Sequence, residues 1–228
     1  MNSGMAPEIL QRLAESQANA EAALARVKPD TSRRAETLIR SAQRSGAVAQ
    51  RVMWLRQAAT AWAQPMESVS ACKPGCSHCC HVPVSITDVE ARLIGQRVGI
   101  APQSVPDAPG TEAAVALEHL PGAPEKSAGY TAPCPFLAND RCSIYEHRPL
   151  ACRAHVNLDV DDLLCRLLPG QSVTVPYADA TKLKAFYVIA QPSARWADIR
   201  AWFPHGRKNP RVAMANATAQ PAAVASSN

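Results

Sequence analysis

The chain predicts a small, mainly α-helical protein interrupted by irregular cysteine-rich loops. Three observations carry this expectation. Apolar residues, 47% of the chain and rich in alanine, recur at helical spacing in several segments. The 19 prolines divide the 228 residues into short elements. Seven of the eight cysteines fall between positions 72 and 152. No run suggests an extended sheet, and aromatics make up only 5%, so the core must rely on Leu, Val, Ile and Ala.

From the N-terminus, residues 6–28 form a helix with Ile9, Leu10, Leu13, Leu24 and Val27 as its apolar members, stopped by Pro29. One longer helix is expected over 32–63, where Leu38, Val48, Val52, Leu55, Ala59 and Trp62 keep helical spacing until Pro65. These two segments predict a helical hairpin. Thr87 followed by Glu90 is a capping-box signature and predicts a helix running to about Val98, ended by Gly99. Residues 100–110 read as a Pro-rich loop, 111–120 as a short helix and 121–133 as a loop. A helical turn is expected around 143–147, and Pro149 opens another. Residues 181–189 are helical, and Ser193 is expected to cap a last helix through Trp202. The domain expectation is a helical segment at 1–64, a cysteine domain with C-terminal helices at 65–205, and a disordered tail at 206–228, where Ala, Asn, Ser and Pro dominate.

The formal charge is +5, with the excess outside the cysteine region. A solvated basic helix surface accounts for it, so nucleic acid is not the expected partner. No apolar stretch reaches membrane-spanning length, and the first 28 residues, which contain Glu8 and Glu15, lack a signal-peptide core. A cytoplasmic location is therefore expected, with oligomeric state open. In a reducing compartment eight cysteines read as thiolate ligands rather than disulfides.

Two segments carry the thiols. The first reads ACKPGCSHCCHVPVSITDVE, with Cys72, Cys76, Cys79 and Cys80. The second reads CPFLANDRCSIYEHRPLACR, with Cys134, Cys142 and Cys152. Short spacings let one turn wrap an ion while backbone amides point at sulfur. Pro74 fixes φ and Gly75 permits a left-handed residue, as such a turn requires. Adjacent side chains often diverge, so Cys79 and Cys80 need not share an ion. Zinc takes four Cys or His ligands, and a [4Fe–4S] cluster takes four thiolates. Seven thiols exceed either requirement, which tilts the balance toward iron. Cys72, Cys76 and Cys79 also have the spacing of radical enzymes that cleave S-adenosylmethionine, but the alternating strands and helices of their barrel are absent from the pattern. His78, His81, His147 and His155 are further possible ligands or hydrogen-bonding groups. Cys165 stands apart and reads as a buried thiol, so its replacement should change metal content little. Arg153, next to Cys152, is the first choice for a guanidinium offsetting thiolate charge, with Arg148 as the other. Phe136, Leu137, Ile144, Tyr145 and Leu150 read as an apolar lid between the arms.

The combination of CKPGCSHCC, CPFL and CSIYEHRPLACR resembles the YkgJ-like cysteine-cluster family, a zinc- or iron-chelating domain of the CxxxCxxCC type. The resemblance runs from Cys72 to Arg153. It implies that Cys72, Cys76, Cys79, Cys80, Cys134, Cys142 and Cys152 are the characteristic positions, and it marks Pro149 and Arg153. Relatives linked to lysine methylation of flagellin make an iron–sulfur cluster plausible in that branch. The expected function is metal binding, as an iron–sulfur cluster or zinc, in a structural, transfer, sensing or redox role. The first alternative is a metalloenzyme with His78, His81, Tyr145 and Glu146 as nearby acid–base groups. The second is a helical interaction protein that binds a protein partner through residues 1–64, with zinc as a structural clip.

Overall fold

The computed structural model describes residues 5–27, 32–105, 132–166 and 173–206. The expected helix at 111–120, most of the loops flanking it and the tail beyond Gly206 lie outside the described residues. Helix α1 spans Pro7–Ala25, with proline in its first turn, where the missing N–H has no intrahelical acceptor. The single helix expected over 32–63 is instead two: α2 (Ser32–Arg44) and α3 (Val48–Ala63). The physical reason sits at residues 45–47. Gly46 disfavours helix by about 1 kcal/mol relative to alanine. The Ser45 hydroxyl donates back to the Ser41 carbonyl at 2.8 Å, and its amide donates to Ala42. The chain then reverses, and α2 packs along α3, so the hairpin joins these two helices.

Helix α3 is central. Val52, Leu55, Ala58 and Ala59 are buried against Leu150 and Ala154 and against Leu183, Tyr187 and Trp196. The alanines let neighbouring elements approach closely. Those neighbours are α5 (Leu150–Arg153), which carries Cys152, and α6 (Thr181–Ile189), found at its expected limits. Helix α3 therefore shares one core with the second cysteine segment.

Strand β1 (Ser85–Thr87) runs directly into α4 (Asp88–Val98). Thr87 caps α4 by accepting from the Glu90 amide at 3.0 Å, and Gly99 ends it at φ 71°. The helix expected from Ser193 is corrected. Residues Trp196–Asp198 form β4, antiparallel to β1 in the register Ser85↔Asp198, Ile86↔Ala197, Thr87↔Trp196. Only then does α7 (Ile199–Trp202) begin, capped by Asp198. A pairing partner more than a hundred residues away overrides the local helical preference. Strands β2 (Leu137–Ala138) and β3 (Arg141–Cys142) form a minimal hairpin. Among the described residues strand content is thus low and the fold mainly helical.

A second core packs Ile86, Ile94, Phe136, Ile144, Ile199, Trp202 and Phe203, with Phe136 and Phe203 edge to face at 5.0 Å. Cys134, Cys142 and Cys152 lie against it. Among the described residues no helix is long and apolar enough to cross a membrane.

Glu90 joins the pieces. Its side chain has no solvent exposure. One carboxylate oxygen accepts the Leu150 amide at 2.8 Å, the other accepts the Tyr187 hydroxyl, and Arg56 Nε lies at 3.5 Å. The capping box is therefore half made: Thr87 serves the Glu90 amide, while the Glu90 carboxylate turns inward. Glu90→Ala should destabilise the protein by about 3–5 kcal/mol, because it strands a buried guanidinium and an amide. Urea unfolding checks this, and an unchanged midpoint would remove Glu90 from its central position.

Candidate metal centre

Each cysteine arm is shaped by backbone conformation. In the first, Pro74 and Gly75 form the turn the sequence predicts: Gly75 has φ 92°, and the Cys76 amide donates to the Lys73 carbonyl at 3.0 Å. A short 3₁₀ turn, His78–His81, then carries Cys79 and Cys80. In the second arm, Asn139 and Asp140 take positive φ (49° and 56°), making a two-residue hairpin that returns the chain to Cys142. A 3₁₀ turn over Tyr145–His147 meets the expected turn there, and Pro149 opens α5.

The arms are tied together beside the thiols. The Cys134 amide donates to the Cys80 carbonyl at 2.7 Å. Arg200 donates to the carbonyls of Ala132 at 2.8 Å and of Cys80 and Val82 at 3.3 Å, while paired with buried Asp198. Asp198 in turn accepts the Val84 amide at 2.8 Å. Sequence reasoning missed Arg200. It lies 47 residues beyond Arg153, the last residue of the matched pattern, and nothing local distinguishes it.

The thiols are close enough to control one another's ionisation. Cys79 is lowered to about 7, chiefly because the Cys80 thiol donates to it, with Arg148 adding positive charge. Cys80 is correspondingly driven far upward by that shared proton and by burial. Burial raises Cys72, Cys76 and Cys142, and the charge of Cys79 raises each further. Burial also pushes Cys134 up to about 11 and Cys152 well above the ordinary range, with Cys142 adding to both. The donor set is therefore soft, crowded and held largely as neutral thiols. It fits a thiophilic cation, whose charge would allow several to ionise together. Among the described residues, no group of three or more His, Cys, Asp or Glu side chains is arranged to hold an ion.

Cys165 does not stand apart. The side-chain amide of Asn157 donates to Cys165 Sγ at 3.2 Å, and the Asn157 backbone amide donates to Cys72 Sγ at 3.4 Å. Burial and the charges of Cys72 and Cys76 push Cys165 up to about 12. Its place was concealed by the 12 residues separating it from Cys152. His78 pairs with Asp162 at 2.9 Å, linking the first arm to the same loop. His155 packs on Tyr177 with ring centroids 3.7 Å apart, and burial lowers it to about 3, so it is neutral.

Of the two arginines, Arg148 is the one whose charge reaches Cys72, Cys79, Cys142 and Cys152. Its guanidinium lies 3.9 Å from the centre of the Tyr145 ring. Arg153 reaches Cys142, but its donors go to the Thr60 hydroxyl and the carbonyls of Glu146 and Arg148. It fastens the second arm to α3. Burial and the charges of Arg56 and Arg148 lower it to about 10. Phe136, Ile144 and Leu150 are buried as a lid would be, whereas Tyr145 is exposed.

In metal-free protein, alkylation between pH 6 and pH 8, roughly, should therefore label Cys79 first, with half-maximal reactivity near pH 7. The raised thiols act oppositely. The unfolded chain ionises them at roughly pH 8.5, the folded chain higher, so metal-free stability should fall as pH rises through that window. Mass-spectrometric mapping in which Cys72 reacts first would contradict the assignment.

Residues 71–166 match one family model, CxxCxxCC, described as "Putative zinc- or iron-chelating domain". No curated protein and no solved structure matches the chain at a significant level. The match reaches past the quoted motifs and takes in both Asn157 and Cys165. Across residues 71–166, about two fifths of the chain, the sequence is therefore similar to the CxxCxxCC family.

Proposed function

We propose that the protein binds iron as a thiolate-ligated iron–sulfur cluster, in a structural, transfer, sensing or redox role. The observation that carries this reading is the gathering of thiols from both arms where burial first, and the charge of neighbouring thiols second, opposes their ionisation. Such crowding opposes formation of several thiolates at neutral pH unless a cation compensates them. Cys72, Cys76, Cys79, Cys80, Cys134, Cys142 and Cys152 would supply the ligands. Their number, greater than the four that zinc takes, favours a cluster over a single zinc ion. When bound, such a cluster supplies one-electron chemistry or a rigid cross-link between the arms. The chain itself supplies Arg148, whose charge offsets thiolate charge, and the Arg200 clamp on the backbone beside Cys80. The thiols also require a reducing compartment, which fits a cytoplasmic location.

Cys76→Ser and Cys142→Ser, one from each arm, test the assignment. Each should lose most of the bound metal and melt at lower temperature, because binding and folding are coupled. Elemental analysis with thermal unfolding reads both effects. Wild-type metal content in both variants would rule out the proposed ligand set.

A further inference from the structure

A cleft of about 700 Å³ lies between α2, α3, α4 and the 146–153 arm, on the α3 side of Arg153. That volume is within the range of small-molecule sites. Arg34, Arg56, Arg97 and Arg153 line it, and Glu146 is the one acid among its lining residues. The two deeper arginines are fixed in place. Arg153 is held by Thr60 and two carbonyls, and Arg56, 9% exposed, donates to the carbonyls of His147 and Arg148. Glu90, the carboxylate beside Arg56, is already shared with Leu150 and Tyr187. Glu90 offsets Arg56, whereas Arg153 is oriented by a hydroxyl and carbonyl dipoles that leave its charge in place. Nearer the solvent, Arg34 and Arg97 are exposed, and neither has an ion-pair partner among the described residues. Like charges converging on a concave, partly apolar wall focus a positive potential into it. Leu38, Met53 and Leu93 supply the apolar part of that wall.

We propose that this cleft binds a small organic anion, a phosphate or carboxylate group carried on a short apolar body. The fixed Arg153 sets the potential at its floor. Arg34 and Arg97 supply guanidinium forks able to grip an oxyanion through paired hydrogen bonds. The apolar body rests on Leu38, Met53 and Leu93. None of the eight cysteines lines this cleft, and its test does not depend on which metal they hold.

The experiment is calorimetric titration of the full chain, as purified, with phenyl phosphate and with benzoate at constant ionic strength, and with benzyl alcohol as the uncharged control. At least one anion should bind, and the tighter of the two identifies the preferred group. Benzyl alcohol should bind at least about tenfold more weakly. The double variant Arg34→Gln, Arg97→Gln changes two exposed side chains and should keep the wild-type circular dichroism and metal content. Its affinity for the anion should fall by about tenfold or more, equivalent to about 1.4 kcal/mol. Three results would each overturn the proposal: neither anion binds, the double variant binds as wild type, or the alcohol binds as tightly as the anions.

Discussion

A single buried carboxylate joins α4 to α3, α5 and α6. Glu90 projects from the first turn of α4 to the amide end of α5, where its negative charge meets the Leu150 N–H, with Tyr187 of α6 and Arg56 of α3 around it. Burying a charge is costly unless hydrogen bonds and an opposite charge compensate it. Here all three partners come from different helices, so the compensation exists only when those helices are docked. The arrangement fixes where α5 starts, and α5 carries Cys152 two residues later. The position of one thiol is thus set by an interaction in the helical core.

Positive charge is organised on both sides of the second cysteine arm. Arg148 faces the thiols, while Arg56 and Arg153 hold the arm's carbonyls from the α3 side. A loop with so little regular structure gains its definition from these directional hydrogen bonds rather than from a backbone ladder. Arg200 performs the same service for the first arm from the far end of the chain, through Cys80 and Val82. The second arm is therefore clamped by Arg56 from outside and by its own Arg153, and the first arm by Arg200 from outside.

Features determined by nearby residues were legible in the sequence. The Thr87 cap, the Gly99 stop, the Pro74 and Gly75 turn and the helix at 181–189 all depend on groups a few positions apart, and they appear where expected. What escaped depends on distant partners. Trp196–Asp198 became a strand because β1 lies beside it. Glu90 looked like a capping residue because the inward hydrogen bonds involve Leu150 and Tyr187, which no local pattern connects to it. Cys165 looked isolated because its link to Cys72 passes through Asn157, in a segment with no distinctive spacing. The break at Gly46 is an intermediate case: the reversal between α2 and α3 falls in the gap between Leu38 and Val48 in the apolar series that predicts one helix.

The most direct test of the cluster assignment is the stoichiometry of iron, zinc and acid-labile sulfide in protein purified without oxygen, together with its absorption spectrum. The account predicts brown protein containing iron and sulfide in equal amounts, about four of each per chain for a [4Fe–4S] cluster. Colourless protein containing zinc and no sulfide, or folded protein containing no metal, would contradict it.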